Sequence, residues 1–231
     1  MADYWMDKLN AIVSGGRYSA AQSRHTRTPI LIDRQSNRVD KNLPGSQSMT
    51  QGVYVQDFAP EVLTGIDATT AAQAESLASL LGRRDAIAVG GEMMESPDYD
   101  HTAQKTNDPK VNYPIDSPQT VIRHEDAHSV LGPGISRRPN SAARLMEMLA
   151  DKHPDINEVA NSLGLIGYGN KPASMLNEVT ARMISAPDEN AKTLPPLING
   201  LRTSGVVGLP AIEKLKRIMQ SGRKSAMDMP R

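Results

Sequence analysis

His124 and His128 are four positions apart in the chain, and Glu125 directly follows the first of them. On a helix, residues with this spacing lie on the same face, so both imidazoles can point toward one metal ion. Tetrahedral zinc binds histidine nitrogens at about 2.0–2.1 Å and, in catalytic sites, keeps one position open for water. The pattern therefore predicts a zinc site at His124 and His128, with Glu125 as the general base that deprotonates the attacking water.

The surrounding sequence predicts the helix that this site requires. Ser117 can cap a helix with its hydroxyl group, and Pro118 suits the first helical position. The segment Gly132-Pro133-Gly134 is typical of a helix end. We therefore expect one helix from residue 118 to about residue 131, with both histidines on one face. The alternative is a solvated polar helix that happens to contain two histidines.

Residues 121–130 resemble the active-site helix of the zincin metallopeptidases, whose third zinc ligand lies on a later helix. The metzincin ligand pattern is absent, because Leu131-Gly132-Pro133-Gly134 contains no histidine. The segment Asn177-Glu178-Val179-Thr180-Ala181-Arg182 is instead similar to the Asn-Glu-x-x-Ala-Arg helix of the gluzincins. This resemblance spans residues 121–182. It implies a zincin-like fold, hydrolysis of peptide bonds and Glu178 as the third ligand.

Two other residues are candidates for the third ligand. Glu158 lies in a segment, Asn157-Glu158-Val159-Ala160, that repeats part of the same pattern without its Ala-Arg ending. His153 is a chemically suitable ligand, but it lies beside Pro154 at a predicted helix end. A purely structural interpretation of Glu178 is an exposed helix residue that pairs with Arg182, four positions on.

A hydrolytic site also needs a group that stabilises the oxyanion. Tyr168, in the glycine-rich segment 164–169, is the first candidate, with His153 and Tyr113 as alternatives, and each could instead pack a loop. Asp126 departs from the zincin pattern, which disfavours a charged residue at this position. Its side chain either hydrogen-bonds a ligand or faces solvent.

The chain is expected to have three regions. Residues 1–52 are polar around one apolar island, residues 29–32, and are predicted to form a partly extended arm that orders against the domain or a neighbour. Residues 53–220 are expected to form the zincin-like metallopeptidase domain, and residues 221–231 a basic tail. The predicted fold class is α+β and mostly α, with a small N-terminal sheet, an active-site helix and a C-terminal helical subdomain.

Local patterns predict the other elements of that domain. Asp67 can cap a helix that ends at Gly82, and residues 86–89 read as a short buried strand. An edge strand is expected at residues 111–113. Later helices are predicted at residues 141–152, 155–163, 172–185, 196–203 and 210–220.

Composition excludes several function classes. The 26 basic and 26 acidic side chains cancel, so whole-chain charge gives no reason to expect nucleic-acid or membrane binding. The chain has no cysteine, which excludes disulfides, cysteine-ligated zinc and thiol catalysis. No stretch reaches the roughly 20 apolar residues of a membrane span, and no signal peptide is evident. We therefore expect a cytoplasmic or virion-associated protein.

The sequence thus favours a zinc metallopeptidase that acts on a peptide or protein substrate. The alternative is a structural or assembly protein, such as a bacteriophage virion-associated protein, with a retained or degenerate zincin-like metal site. An aromatic content of only 3%, the polar arm and the basic tail favour this alternative. It would form a homo-oligomer or a larger assembly through the arm. Nucleic-acid binding is least favoured, because the arm has only modest net charge and no interleaved aromatic residues.

Overall fold

A computed structural model describes residues 9–10, 12–13, 15–35, 52–58, 66–90, 118–163, 171–187, 190–220 and 227–228. The chain divides into two compact units. The first comprises Met1–Ile122 with Ser225–Arg231, and the second comprises Arg123–Lys224. This division differs from the boundaries expected after residues 52 and 220.

The first unit contains a five-stranded mixed sheet. Its strands are β1 (Tyr18–Ser23), β2 (Pro29–Asp33), β3 (Gly52–Gln56), β4 (Asp85–Gly90) and β5 (Met227–Asp228). Their order is β3-β4-β2-β1-β5, and β2 and β4 are parallel while the other pairs are antiparallel. Strand β2 is buried at every position, as a short apolar run predicts for a strand covered on both faces.

Two strands come from the segment that was expected to form an arm. Strand β2 lies in the sheet between β1 and β4, so compact structure begins before residue 53. The polar residues around it have structural partners: Arg17 binds the carboxylate of Asp33 at 2.7 Å, and Asp33 is 1% exposed. Local composition did not reveal this, because a strand is stabilised by partners that are distant in sequence.

The helix predicted after Asp67 is present as α1 (Ala68–Leu80). The Asp67 carboxylate accepts a hydrogen bond from the backbone N–H of Thr70, which confirms its capping role. Gly82 follows the helix with a positive φ of 64°. The buried strand expected at residues 86–89 is also confirmed, as part of β4. The predicted edge strand at residues 111–113 lies outside the described residues.

Helices form the second unit. Helix α2 (Pro118–Arg137) begins in the first unit and continues into the second. It is followed by α3 (Pro139–Lys152), α4 (Pro154–Leu163), α5 (Pro172–Ser185), α6 (Leu194–Thr203) and α7 (Leu209–Gln220). Each contributes buried aliphatic side chains to one core: Leu131, Leu145, Ile156, Leu176, Leu197 and Leu215. The fold is therefore α+β and mostly helical, as predicted. Within the described residues, every helix is too short or too polar to cross a bilayer.

Helix α2 extends beyond its predicted end. It continues through Pro133 to Arg137, although an internal proline costs a helix roughly 3 kcal/mol. Tertiary packing offsets this cost, because Leu131 and Ile135 are buried on either side of the proline. Gly134 lies directly against the backbone of Val206, where a larger residue would not fit.

The close approach at Gly134 predicts that the Gly134→Ala substitution destabilises the protein. A Cβ atom there would lie 2.7 Å from both the carbonyl oxygen of Val206 and the Cγ1 atom of Val207. Alanine favours a helix by about 1 kcal/mol over glycine, but the overlap with backbone should cost more. We expect a net loss of about 1–3 kcal/mol in the free energy of unfolding, measured by urea denaturation.

Gly200→Ala is the matched control for this substitution. Its Cβ would meet the end of the Leu145 side chain at 2.9 Å, and this side chain can rotate away. Gly200→Ala should therefore be less destabilising than Gly134→Ala. Equal stability of the Gly134→Ala variant and the wild-type protein would show that the helix and the Val206 backbone are not in tight contact.

Candidate metal centre

Helix α2 brings two imidazoles together, as the spacing of His124 and His128 predicts. Their Nε2 atoms are 2.9 Å apart, and the rings meet edge to face at an angle of 82°. The His124 and His128 side chains are 19% and 15% exposed. The pair is therefore partly buried, which excludes a fully solvated polar helix face.

Helix α5 supplies a carboxylate to the same place. The Oε1 atom of Glu178 lies 3.3 Å from Nε2 of His124, and its Oε2 atom lies 3.3 Å from Nε2 of His128. The Glu178 side chain is 9% exposed, so the interpretation as an exposed residue that pairs with Arg182 is wrong. An ionised carboxylate is costly to bury without a partner, and the two imidazoles provide one.

The other candidates for the third ligand lie elsewhere. Glu158 is exposed on α4, and His153 is a half-buried residue between α3 and α4. Of the three candidates, Glu178 is the one whose carboxylate contacts both imidazoles. The structure thus brings together His124, His128 and Glu178 from two helices.

The contacts with Glu178 shift the ionisation of the site. Burial lowers the pKa of His128, but hydrogen bonding to Glu178 and the negative charges of Glu125 and Glu178 outweigh it and raise that pKa to about 9. Burial raises the pKa of Glu178, but hydrogen bonds from His124 and His128, together with their positive charge, outweigh burial and lower it. The Glu178 carboxylate is therefore ionised, and its negative charge favours a positive charge beside it, such as that of a protonated His128.

The donor atoms fit a small tetrahedral cation. Metal–ligand bonds of about 2.0–2.1 Å place the donor atoms of a tetrahedral zinc site about 3.3 Å apart. The contact of Glu178 Oε1 with His124 and that of Glu178 Oε2 with His128 both have this length, each through a different carboxylate oxygen, and the two Nε2 atoms are slightly closer, at 2.9 Å. Two nitrogens and a carboxylate oxygen are also ligand types that zinc accepts.

Glu125 lies beside this set of donors. One ligand atom each from His124, Glu125 and His128 lies within 4.8 Å of the others, so this cluster could hold a metal ion. Glu125 is only 5% exposed. Its carboxylate is therefore close to the imidazoles and largely shielded from bulk water.

Two neighbouring residues have environments that the sequence did not specify. Asp126 is fully buried, which excludes the solvent-facing interpretation of its side chain. Asn177 lies beside Glu178 on α5, and its side chain is close enough to His128 to contribute to the raised pKa of that residue. The sequence feature that could have identified Asn177 is its position directly before Glu178, the predicted third ligand. Tyr168 and Tyr113, the predicted oxyanion candidates, lie outside the described residues.

Comparison with known proteins identified no matching family, curated protein or solved structure.

Proposed function

We propose that this protein is a zinc metallopeptidase with a gluzincin-like ligand set: His124, His128 and Glu178. One observation carries the proposal. Glu178 is fifty positions from His128 in the sequence, yet its carboxylate contacts both imidazoles at 3.3 Å. A histidine pair with a Glu between them, joined by a third ligand-type side chain from another helix, is the donor set of a catalytic zinc site.

The protein's own residues would have distinct roles. When bound, zinc supplies Lewis acidity, which lowers the pKa of water toward about 7 and polarises a substrate carbonyl group. The Glu125 carboxylate would accept the proton of the attacking water and later return it to the leaving amine. At 5% exposure, Glu125 lies beside the two imidazoles and is largely shielded from bulk water. The substrate would be a peptide or protein.

A structural metal site is the second candidate function. The observation that favours it is the burial of the whole donor set, in which every side chain is less than a fifth exposed. A site that only stabilises the fold needs no access for substrate, whereas a catalytic site keeps an open position. The protein would then be an assembly component, for example in a virion, with a zincin-like site that does not turn over.

Metal analysis and a chelator test address the proposal directly. We expect one zinc ion per chain in the full-length protein and none after His124→Ala substitution, because the remaining ligands cannot hold the metal tightly. An unfolded protein substrate should be cleaved by the zinc-loaded protein, and a chelator should stop cleavage until zinc is restored. His153→Ala is the control, and it should retain zinc.

The outcomes separate the two functions. Zinc binding that depends on His124, without cleavage of any substrate in a diverse peptide mixture, would support the structural site and contradict the peptidase. Zinc content unaffected by His124→Ala would contradict both.

A further inference from the structure

Helices α6 and α7 border a groove in the helical unit that contains none of the proposed metal ligands. Its volume is about 490 Å³, within the range of roughly 300–1,000 Å³ that is typical of ligand sites. The lining is mainly apolar, and its larger apolar side chains are Leu194, Ile198, Ile212 and Met219. Ile198 and Met219 are only partly buried against the helical core. A partner that covered them would remove further apolar surface from water, which favours binding.

The groove runs along both helices. On α6, the lining residues Leu194, Ile198 and Arg202 are each four positions apart, so they lie along one face of the helix. On α7, Ile212 and Lys216 have the same spacing. An α-helix rises about 1.5 Å per residue, so the stripe on α6 spans about 12 Å. An apolar groove of this length between two helices is suited to a short helical segment, whose side chains repeat at the same spacing.

The groove is positively charged, although the chain as a whole has equal numbers of basic and acidic side chains. Arg202 and Lys216 line it, and its other lining residues are uncharged. The guanidinium group of Arg202 donates a hydrogen bond to Oδ1 of Asn199 at 2.9 Å, and this neutral acceptor does not cancel its charge. Lys216 pairs with Glu213 at 2.8 Å, but both side chains are exposed, so the pair is weak. Negative charge on a partner would complement this lining.

We propose that this groove is a docking site for an acidic amphipathic helix of a partner protein. The apolar face of that helix would cover Ile198 and Met219, and its Asp or Glu side chains would pair with Arg202 and Lys216. The apolar contacts would supply most of the binding free energy, because exposed ion pairs contribute little. The two basic side chains would select the partner, since they repel a basic helix. Docking would not require zinc.

Fluorescence anisotropy with two synthetic peptides and the full-length protein tests this proposal. Both peptides carry the same stripe of leucines at helical spacing. One has glutamate and alanine at the remaining positions, and the other has lysine and alanine. The glutamate peptide should bind about tenfold more tightly than the lysine peptide, because two ion pairs are replaced by two repulsive contacts. Added salt should reduce this difference, since the charges are exposed.

Substitutions in the groove assign the binding to it. The double substitution Arg202→Glu and Lys216→Glu should weaken binding of the glutamate peptide about tenfold and make the lysine peptide the tighter ligand. Ile198→Ser should weaken binding of both peptides, because it removes apolar contact area. Lys214→Glu is the matched control, since Lys214 is exposed on α7 and does not line the groove. The Lys214→Glu protein should keep its preference for the glutamate peptide.

Other results would overturn the proposal. Equal binding of the two peptides, or a preference unaffected by the double substitution, would show that the groove does not select an acidic helix. Self-association of the full-length protein that is lost in Ile198→Ser would assign the groove to a second copy of the chain. Binding of dodecanoate, but of neither peptide, would assign it to small amphiphilic anions. Zinc content should be unchanged in the groove variants, so failure here is distinct from failure of the proposed function.

Discussion

Glu125→Gln is expected to reduce peptide hydrolysis by about 10²–10⁴-fold while the protein still binds one zinc ion per chain. Glutamine has nearly the same shape as glutamate, so the buried position of residue 125 should tolerate it. It cannot accept a proton at neutral pH, and the attacking water would lose its general base. The measurement is the rate of cleavage of an unfolded protein substrate, with zinc content determined on the same samples.

Glu147→Gln is the matched control for this prediction. Glu147 lies on α3 and is exposed, so its substitution should change neither cleavage nor zinc content. Cleavage by the Glu125→Gln protein within about threefold of the wild-type rate would show that Glu125 is not the base. Loss of both zinc and activity would instead show that Glu125 mainly helps to hold the metal ion.

Glu178→Gln is expected to weaken zinc binding by at least about 100-fold. Structural zinc sites contribute roughly 10–16 kcal/mol, so one ligand of three or four corresponds to about 3 kcal/mol, or about two orders of magnitude in affinity. Glu178 also carries the negative charge that contacts both imidazoles at 3.3 Å. Its neutral analogue keeps the shape and loses that charge. Chelator competition on the full-length protein measures the change.

The similar segment around Glu158 again provides the control. Glu158 is exposed on α4, and Glu158→Gln should bind zinc as tightly as the wild-type protein. Strong zinc binding by Glu178→Gln, or loss of zinc in Glu158→Gln, would assign the third ligand to a different residue. A circular dichroism spectrum of each variant would verify that the helices remain folded.

The sequence by itself determined those features that depend only on residues close together along the chain. The spacing of His124 and His128 is enough to bring two imidazoles together, because helical geometry alone sets the distance between positions four apart. Capping by Asp67 follows from one side chain and the first turn of one helix. The bounds of α5 were also predictable, since Pro172 begins an apolar pattern of helical period.

Other features depended on contacts between distant segments, and the tertiary structure decided them. Residues 29–33 form a central strand because β1 and β4 pair with them, and nothing in their polar surroundings indicates those partners. Helix α2 passes through Pro133 because buried Leu131 and Ile135 stabilise the helix on both sides. In each case packing outweighs the local preference of the chain.

The metal centre combines both kinds of information. Sequence similarity between the segments at Glu158 and Glu178 left two carboxylates as candidates for one role, with His153 as a third possibility. Only the packing of α5 within the helical unit places the Glu178 carboxylate against both imidazoles and leaves Glu158 exposed. A helix fixes the neighbours of a residue along its own face, whereas contacts between helices depend on how the whole core is filled.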